Sequence, residues 1–433
     1  MKDELGHDFP AYLAAMDRTP APSLRINTAK TDSHGLEYLA GAALVPNGVC
    51  PEGFFVPPEL SSGRHPLHAA GLYYLQEASA QLPAELLEVE PGMNVLDLCA
   101  APGGKSTQIA GKLQGSGVLV ANEVSASRAK VLLGNIERLG ITNAVVTQME
   151  PEALARALPE AFDRVLVDAP CSGEGMFRKD PAAIAHWSPA QVCACARRQS
   201  KILSAAARTL KSGGRLVYAT CTFSREENED VVENFLRERT DFSLVTTHRL
   251  YPHTSPGEGQ FAAVLERRDC GDGSMRAIDN RPYAAATQRT VPTATPLSLE
   301  DACPVYSRFS EENLILPPDL HITYLPDGRV LAAPPLPFSL AGLRLLRAGV
   351  LQGEARGDRF VPAHALALMA RETPFARKAE VDLDGARAYL QGETLPTNLP
   401  TGWCAVAYQG RALGLGKVAN GVVKNHYPKG LRM

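Results

Sequence analysis

A regular alternation of short apolar runs with helical patterns, between Asn94 and about Leu265, constrains the fold of this chain more than any other feature. The apolar runs include NVLDL, GVLVANE, AVVTQ, RVLVDAP and RLVYATC, and the helical patterns include KSTQIAGKL and a long helix from about Pro189 to Leu210. Strands that alternate with helices predict an α/β fold, a parallel doubly wound sheet with helices on both faces. The last two runs, FSLV and FAAVLER, have no convincing helix between them and predict an antiparallel edge hairpin.

Outside this region the sequence predicts smaller units. With 433 residues, the chain has room for roughly two to four domains. Proline-rich and glycine-rich connections interrupt the short elements of residues 1–80, which predicts a small mixed domain, whereas residues 81–268 hold the sheet. Residues 269–304 show little apolar periodicity and predict a linker. Short strands follow, with a hairpin turn at Asp327-Gly328, and the final segment is β-rich with glycine turns.

The composition favours a protein of the cytoplasm. The sequence has no signal peptide and no run of about 18 uncharged apolar residues, so we expect a cytoplasmic monomer without membrane association. Nine cysteines, an odd number spread along the chain, indicate reduced thiols rather than disulfides. Cys193 and Cys195 lack a second ligand pair at zinc spacing, so we interpret them as helix residues and predict no metal site.

Three reactive side chains follow two of the apolar runs. VLVDAPCSG brings Asp168 and Cys171, and YATCTF places Cys221 directly after GGRLVYAT. Because such sheets place their chemistry at the carboxyl ends of parallel strands, we expect these three side chains in one cleft. A free cysteine taken alone is more often a small buried hydrophobe, and each thiol taken alone leaves that alternative open.

A glycine-rich turn, CAAPGGKST, follows the first strand of the sheet and leads into a helix. Glycine lets backbone N–H groups approach a ligand, and a helix N-terminus favours negative charge. A P-loop is disfavoured because Cys99 stands where its first glycine is required, and the dinucleotide fingerprint G-x-G-x-x-G is absent. We therefore predict S-adenosylmethionine, with Glu123 at the second strand end for the ribose hydroxyls and Glu150 at the third for the adenine side. Each glutamate taken alone is more often an ordinary solvated loop acid.

Several motifs resemble those of one known family. DLCAAPGGKST, DAPCSGEG and YATCTFSREENE look like three hallmarks of the NSUN-type (Sun family) RNA cytosine-5 methyltransferases, and they occur in the expected order. LLRAGVLQGE and GKVANGVVKNHYPKGLR look like the bacterial RsmF-type branch. The resemblance implies a Rossmann-like S-adenosylmethionine-dependent domain, an RNA-interacting N-terminal domain, an intermediate α+β domain at 305–375 and a PUA-like RNA-binding domain at 376–433.

The resemblance also implies roles for single side chains. Cys221 would add as a thiolate to carbon 6 of cytosine. Asp168, kept protonated or proton-sharing by burial, would hydrogen-bond or protonate ring nitrogen 3. Cys171 would assist release of the product, and Lys105 would orient Asp168 or the base. Where the family usually has Asp, this chain has Glu150, whose carboxylate reaches one methylene further. The positions that match the cofactor site of the family are Cys99, Ala100, Ala101, Pro102, Gly103, Gly104, Lys105, Glu123, Arg128, Glu150 and Asp168.

The partner implied by the resemblance is RNA, with 16S rRNA or the small ribosomal subunit first and tRNA second. The net charge is only -3, but residues Gly402 to Met433 contain no acidic side chain, so the tail can contact phosphate. The predicted RNA contacts are Arg25, Lys30, Lys424, Lys429 and Arg432. Two other classes stay open: a DNA cytosine-5 methyltransferase, which would use the Pro170-Cys171 thiol as nucleophile, and a non-catalytic ribosome-assembly factor.

Overall fold

Four β-sheets organise the chain. The computed structural model describes residues 5–60, 63–269, 303–315, 321–333, 335–369 and 373–433. Nearly all of the predicted linker at 269–304 therefore lies outside the described residues. Within the described ranges, no helix is both long enough and apolar enough to cross a lipid bilayer.

The N-terminal part is a small mixed domain, a four-stranded sheet with three short helices. Its elements are α1 (Phe9–Met16), β1 (Ser23–Ile26), α2 (Ser33–Ala40), β2 (Val45–Pro46), β3 (Gly53–Phe55), α3 (Pro66–Ala69) and β4 (Tyr73–Leu75). The strands pair antiparallel in the order β2-β3-β1-β4, so β1 is central and fully buried. Asp32 caps α2 by accepting a hydrogen bond from the Gly35 amide, which fixes where that helix begins.

An eight-stranded sheet with helices on both sides forms the centre of the protein, as the alternation of strand and helix patterns predicts. Its elements are α4 (Leu82–Leu86), β5 (Asn94–Asp97), α5 (Gly104–Leu113), β6 (Val118–Asn122), α6 (Ala126–Arg138), β7 (Ala144–Thr147), α7 (Pro151–Ala157), β8 (Phe162–Asp168), α8 (Pro181–His186), α9 (Pro189–Thr209), β9 (Leu210–Thr220), α10 (Glu229–Glu238), β10 (Phe242–Leu250) and β11 (Gln260–Arg267). The strands β9-β8-β5-β6-β7 run parallel, and β10 and β11 form the predicted antiparallel hairpin beside β9.

The two faces of this sheet carry separate hydrophobic cores. Successive strand residues point to opposite faces, so Leu96 and Val120 enter one core, whereas Val95 and Leu119 enter the other. All four side chains are buried. The strands therefore read as continuous apolar runs in the sequence, which is typical of a sheet covered on both sides.

The C-terminal part comprises two smaller sheets. Its elements are α11 (Pro304–Asn313), β12 (His321–Tyr324), β13 (Arg329–Ala333), β14 (Leu345–Ala348), β15 (Val350–Arg356), β16 (Arg359–Pro362), α12 (His364–Leu368), β17 (Lys378–Val381), α13 (Leu383–Gln391), β18 (Leu395–Pro396), β19 (Gly402–Tyr408), β20 (Arg411–Ala419) and β21 (Val422–Asn425). The hairpin predicted at Asp327-Gly328 is confirmed, because β12 and β13 pair across it. The amphipathic segment AGLRLLRAGVLQGE supplies β14 and β15, and β14 pairs with β7 as the last strand of the central sheet.

The first and last parts of the chain share one hydrophobic core. Leu24, Leu36 and Tyr73 of the N-terminal domain pack in the same cluster as Tyr389 and Val406 of the last sheet. The central domain packs against the units before and after it at the turn that follows α6. This turn lies against the end of α12.

Gly140, in that turn, has a left-handed backbone (φ +73°), and a Cβ added there would overlap the carbonyl oxygen of Leu368. We expect Gly140→Ala to lower the free energy of unfolding by about 1 to 3 kcal/mol, because both the backbone conformation and the close approach require glycine. Gly134→Ala in α6 is the matched control, since a Cβ there meets nothing within 4 Å. That control should raise the free energy of unfolding by about 0.5 to 1 kcal/mol in urea denaturation. Equal effects of the two substitutions would contradict this role for Gly140.

Candidate active site

Two strand ends bring the three predicted reactive side chains together. Strands β8 and β9 are parallel neighbours with Asp168 opposite Ala219, so the loop after β8 lies beside the loop after β9. The Sγ atoms of Cys171 and Cys221 are 3.3 Å apart, within hydrogen-bonding distance. Asp168 lies at the same edge, where its Oδ2 accepts a hydrogen bond of 2.8 Å from Lys105 Nζ. All four residues line one cavity of about 920 Å³.

The two thiols have opposite electrostatic environments. The hydrogen bond with Cys171 lowers the pKa of Cys221, outweighing burial and the charge of Asp168, and Lys105 also lowers this pKa. The same hydrogen bond, together with burial, raises the pKa of Cys171 well above its usual value. The pKa of Cys221 is thus the lower of the two. The thiolate is the reactive form of cysteine.

Lys105 links the cofactor loop to the thiol pair. It is the second residue of α5, and its ammonium group is buried beside Asp168. Burial alone would lower the pKa of Lys105, but the charge and hydrogen bond of Asp168 more than compensate and raise it. Lys105 is thus a fixed cation, and Asp168 is ion-paired and about one-third exposed rather than deeply buried.

Two buried glutamates hold the cysteine loops against each other. Glu174 accepts hydrogen bonds from the Phe223 amide at 2.9 Å and from Thr222 Oγ1 at 3.1 Å. Glu227 lies in the loop after β9 and accepts hydrogen bonds from the Ser172 amide of the loop after β8 at 3.0 Å and from Gln199 Nε2 at 2.7 Å. Each loop thus donates backbone amides to a carboxylate of the other loop. This reciprocal clamp fixes the distance between Cys171 and Cys221.

The glycine turn has the form expected of a cofactor loop. Gly103 has a left-handed backbone (φ +113°), and Gly104 begins α5. Glu123, at the end of β6, is buried; its carboxylate accepts from the Ser125 amide and lies 3.3 Å from Arg128 Nη1. Arg128 Nη2 donates to the Ala101 carbonyl at 2.7 Å and so ties the acid to the loop.

Most of the predicted cofactor residues face the large cavity. Its lining includes Cys99, Ala101, Pro102, Lys105, Glu123, Arg128, Glu150 and Asp168. The other three, Ala100, Gly103 and Gly104, shape the turn without lining the cavity. Beneath the turn, burial raises the pKa of Asp97 to about 7, and its Oδ2 accepts a 2.6 Å hydrogen bond from Ser106. Asp97 supports the loop from inside the sheet, a role that was not predicted.

The prediction of phosphate contacts by Arg25 and Lys30 is wrong, because both side chains are buried. Arg25 donates to Gln76 Oε1 at 3.0 Å and to Thr107 Oγ1 at 2.7 Å, so it fastens the N-terminal domain to α5. Lys30 Nζ donates to the Ala70 carbonyl at 2.8 Å, and burial lowers its pKa to about 7. Lys30 Nζ also donates to the Arg138 carbonyl of the central domain at 3.3 Å. Both side chains therefore hold domains together in the interior, where RNA has no access.

The other predicted RNA contacts lie at the surface. Lys424, Lys429 and Arg432 are exposed on the last sheet and the tail after it, and they remain a prediction. The sequence reasoning overlooked Arg198 and Lys201, two exposed cations on α9 that line the mouth of the large cavity. Their spacing of three residues, which places them on one helix face, was the signal in ARRQSK. Gln260 at the start of β11 also lines the cavity and was overlooked.

Cys193 and Cys195 are helix residues of α9, as predicted. Among the described residues, Cys50, Glu52 and Glu85 place three potential metal ligands within 4.8 Å of one another. Two of the three are engaged elsewhere, since the Cys50 thiol donates to Gln81 Oε1 and Glu85 accepts from Lys112, whereas Glu52 Oε2 has no hydrogen-bond partner among the described residues. We therefore assign no metal there.

The cofactor loop and the acid that faces it make the central domain an S-adenosylmethionine-dependent methyltransferase. A family model described as "16S rRNA methyltransferase RsmB/F" matches residues 84–277. Three further models match the rest: the "N-terminal domain of 16S rRNA methyltransferase RsmF" at 1–78, the "RsmF rRNA methyltransferase first C-terminal domain" at 308–369 and the "Methyltransferase RsmF PUA domain" at 376–433.

Curated relatives cover nearly the whole chain. The ribosomal RNA small subunit methyltransferase F of Salmonella agona is 33% identical over 98% of this chain and 92% of its own length. The protein of Salmonella arizonae with the same name shows the same identity and coverage. The chain therefore belongs to the ribosomal RNA small subunit methyltransferase F family, the RsmF branch of the Sun family.

Solved structures support the fold. A methyltransferase homologue from Pyrococcus horikoshii is 28% identical, has a TM-score of 0.55, and aligns with 60% of this chain and 91% of its own. The NSun6 protein of the same organism, solved with SFG, is 23% identical with a TM-score of 0.56 over 61% of this chain and 96% of its own. At that identity, the second likeness supports the Rossmann-like architecture alone.

The reciprocal clamp generates a prediction about Glu227. We expect Glu227→Ala to lower the free energy of unfolding by about 2 to 4 kcal/mol, because it leaves the Ser172 amide buried without its partner and removes one of the two hydrogen bonds of Gln199 Nε2. Methyl transfer should slow as well, since the cysteine loops lose their alignment. The control is Glu226→Ala, an exposed neighbour that bonds only to Ser224 among the described residues. Denaturation and activity indistinguishable between the two variants would argue against the clamp.

Proposed function

We propose that this protein methylates carbon 5 of a cytosine in RNA through a covalent adduct with Cys221. The observation that carries the proposal is the pair of thiols 3.3 Å apart at two strand ends, one with a lowered pKa and the other with a raised one. A single nucleophile would serve many reactions. A nucleophile with a second thiol beside it, next to a methyl donor site, suits a reaction that must form and then release an adduct.

Carbon 5 of cytosine is too electron-poor to attack a methyl group unaided. Addition of the Cys221 thiolate to carbon 6 moves the electron pair of the 5,6 double bond to carbon 5, which becomes nucleophilic. S-Adenosylmethionine, when bound, supplies the electrophilic methyl group. A base, for which we propose the Cys171 thiolate, then accepts the proton from carbon 5. The electron pair of that C–H bond re-forms the 5,6 double bond, and Cys221 leaves carbon 6 as a thiolate, which releases the methylated base.

The pair of Lys105 and Asp168 supports the charge that develops during attack. As electrons move into the ring, nitrogen 3 gains negative charge, and a hydrogen-bonded or protonated contact there lowers the barrier. The 2.8 Å ion pair holds the carboxyl group in place and keeps a proton donor, the Lys105 ammonium, next to it. In this proposal Asp168 takes a proton from the Lys105 ammonium along their 2.8 Å hydrogen bond and donates it to nitrogen 3, so Lys105 is its positioning partner.

The two cysteines should give different defects. Cys221→Ala should reduce methyl transfer to below about 10⁻⁴ of the wild-type rate, because no adduct can form. Cys171→Ala should accumulate a covalent RNA adduct that migrates as a shifted band on denaturing gels. Its rate of adduct formation should also reach its maximum at higher pH, because Cys221 loses the hydrogen bond that lowers its pKa. Full turnover by Cys221→Ala would exclude the mechanism, and an adduct through Cys171 would favour the DNA-type alternative.

The substrate we propose is 16S rRNA, alone or within the small ribosomal subunit. The curated relatives carry small-subunit RNA in their names, and the last residues match an RsmF PUA domain. Transfer RNA is the second candidate. Tritium transfer from labelled S-adenosylmethionine to RNA or DNA separates these substrates from the DNA enzyme and from a non-catalytic assembly factor. Bisulfite sequencing of RNA from a deletion strain then identifies the modified cytosine.

Cations at the mouth of the cavity replace Arg25 and Lys30 as proposed phosphate contacts. Arg198 and Lys201 are exposed and form no ion pair among the described residues, so their charges are available to a polyanion. Contacts of this kind position RNA without reading its sequence. Lys424, Lys429 and Arg432 would add contacts further along the substrate.

Removing these charges should change the salt dependence of RNA binding. For Arg198→Gln and Lys201→Gln, each lost phosphate contact should reduce the slope of log affinity against log salt by about 0.7 to 0.9. Affinity for S-adenosylmethionine should not change. Lys130→Gln is the control, since Lys130 is exposed on α6 but does not line the cavity. Filter binding of a 16S transcript at several salt concentrations measures the affinity for RNA and its salt slope. Slopes equal to that of the wild type would show that Arg198 and Lys201 do not contact RNA.

A further inference from the structure

Gln260 is a buried residue of the large cavity whose side-chain donor, Nε2, has no partner among the described residues. Its side chain is 1% exposed, it lines the cavity that holds both cysteines, and its Nε2 has no hydrogen-bond partner among the described residues. A buried amide donor without a partner costs about 1 to 3 kcal/mol. Such a group persists in a folded protein where a ligand satisfies it.

The backbone that presents Gln260 is held rigidly. Just before it, Glu258 forms a buried ion pair with Arg178 at 2.8 Å, and the Glu258 amide donates to Glu77 Oε1 at 2.8 Å. The Gly259 amide donates to Ser79 Oγ at 3.1 Å. The loop is therefore fixed while the amide at its end stays unpaired. A donor held in place before its acceptor arrives is the arrangement that stabilises developing charge most effectively.

Gln260 lies on the Cys221 side of the cavity. Strand β11 pairs antiparallel with β9, and Phe261 is opposite Thr220, so Gln260 and Cys221 lie at the same edge on adjacent strands, about 5 Å apart. Glu123 follows β6, four strands away in the sheet order, which corresponds to about 19 Å. The group that meets Gln260 is therefore the molecule that reacts with Cys221 rather than the ribose of the methyl donor.

We propose that Gln260 donates a hydrogen bond from Nε2 to oxygen 2 of the target cytosine, an inference that rests on the proposed function. An N–H donor needs an acceptor, and the Watson–Crick edge of cytosine offers two, nitrogen 3 and oxygen 2. In the proposed mechanism Asp168 hydrogen-bonds nitrogen 3, and the exocyclic amine at carbon 4 is itself a donor. Oxygen 2 is therefore the acceptor that remains for Gln260.

This contact would strengthen during the reaction. When the Cys221 thiolate adds to carbon 6, the electron pair displaced toward carbon 5 is shared through nitrogen 3 with the carbonyl at carbon 2. Oxygen 2 therefore becomes more negative in the adduct than in the free base. Gln260 touches the reacting ring at this atom, so it acts on formation of the adduct as well as on binding of the base.

The test uses the full-length protein with a 16S transcript and with the same transcript containing 5-fluorocytidine, whose carbon 5 cannot lose fluorine, so the adduct persists. Gln260→Leu should lower kcat/KM and the rate of adduct formation by about 10- to 100-fold. Gln260→Glu should be slower still, because a carboxylate repels the developing charge. Affinity for S-adenosylmethionine, measured by calorimetry, should stay unchanged.

Thermal unfolding separates this role from a structural one. Gln260→Leu should keep or raise the melting temperature, since it removes an unpaired buried donor. The matched control is Gln108→Leu, also buried, which should lower the melting temperature because Gln108 Nε2 donates to Gln81 O and Glu85 Oε1.

Two results would overturn the inference while leaving the proposed function intact: wild-type rates of adduct formation in Gln260→Leu, or a loss confined to affinity for S-adenosylmethionine. If the wild-type protein itself forms no adduct with the fluorinated transcript, either free or assembled into a small ribosomal subunit, the proposed function fails, and the role of Gln260 fails with it.

Discussion

The parallel pairing of β8 with β9 is the constraint on which the rest of the site depends. It sets Asp168 opposite Ala219, so the loops that carry Cys171 and Cys221 leave the sheet side by side. The reciprocal contacts of Glu174 and Glu227 then convert this proximity into a thiol–thiol distance of 3.3 Å. A shift of register between these strands would separate the thiols, because successive strand residues point to opposite faces of the sheet.

Much of this arrangement could be predicted from the sequence because it depends on local patterns. Buried parallel strands appear as apolar runs, and the residues directly after each run lie at one edge of the sheet, so Asp168, Cys171 and Cys221 could be placed together without any contact being known. The long helix α9 and the hairpin of β10 and β11 could also be predicted. The glycine turn disfavoured a P-loop because Cys99 stands where the first glycine of that motif is required. This left S-adenosylmethionine as the predicted ligand.

The incorrect and missing predictions share a cause, which is that burial and partners are set by tertiary structure. Arg25 in LRINTAK looks like an exposed basic residue, but its guanidinium group is enclosed between the N-terminal domain and α5. Asp168 was expected to be buried, whereas its side chain is about one-third exposed and forms an ion pair with Lys105. Gln260 has no local signal at all, because a missing hydrogen bond is visible only once every neighbour has been placed.

The hydrophobic core shared by the two ends of the chain has a consequence for synthesis. The apolar face formed by Leu24, Leu36 and Tyr73 is covered by Tyr389 and Val406, which the ribosome adds about 320 to 380 residues later. At about 5 to 20 residues per second, that face stays uncovered for about 15 to 75 s. The central domain can complete its own sheet during this delay except for β14, so the nascent chain passes through a stage in which the catalytic fold exists before its ends have joined.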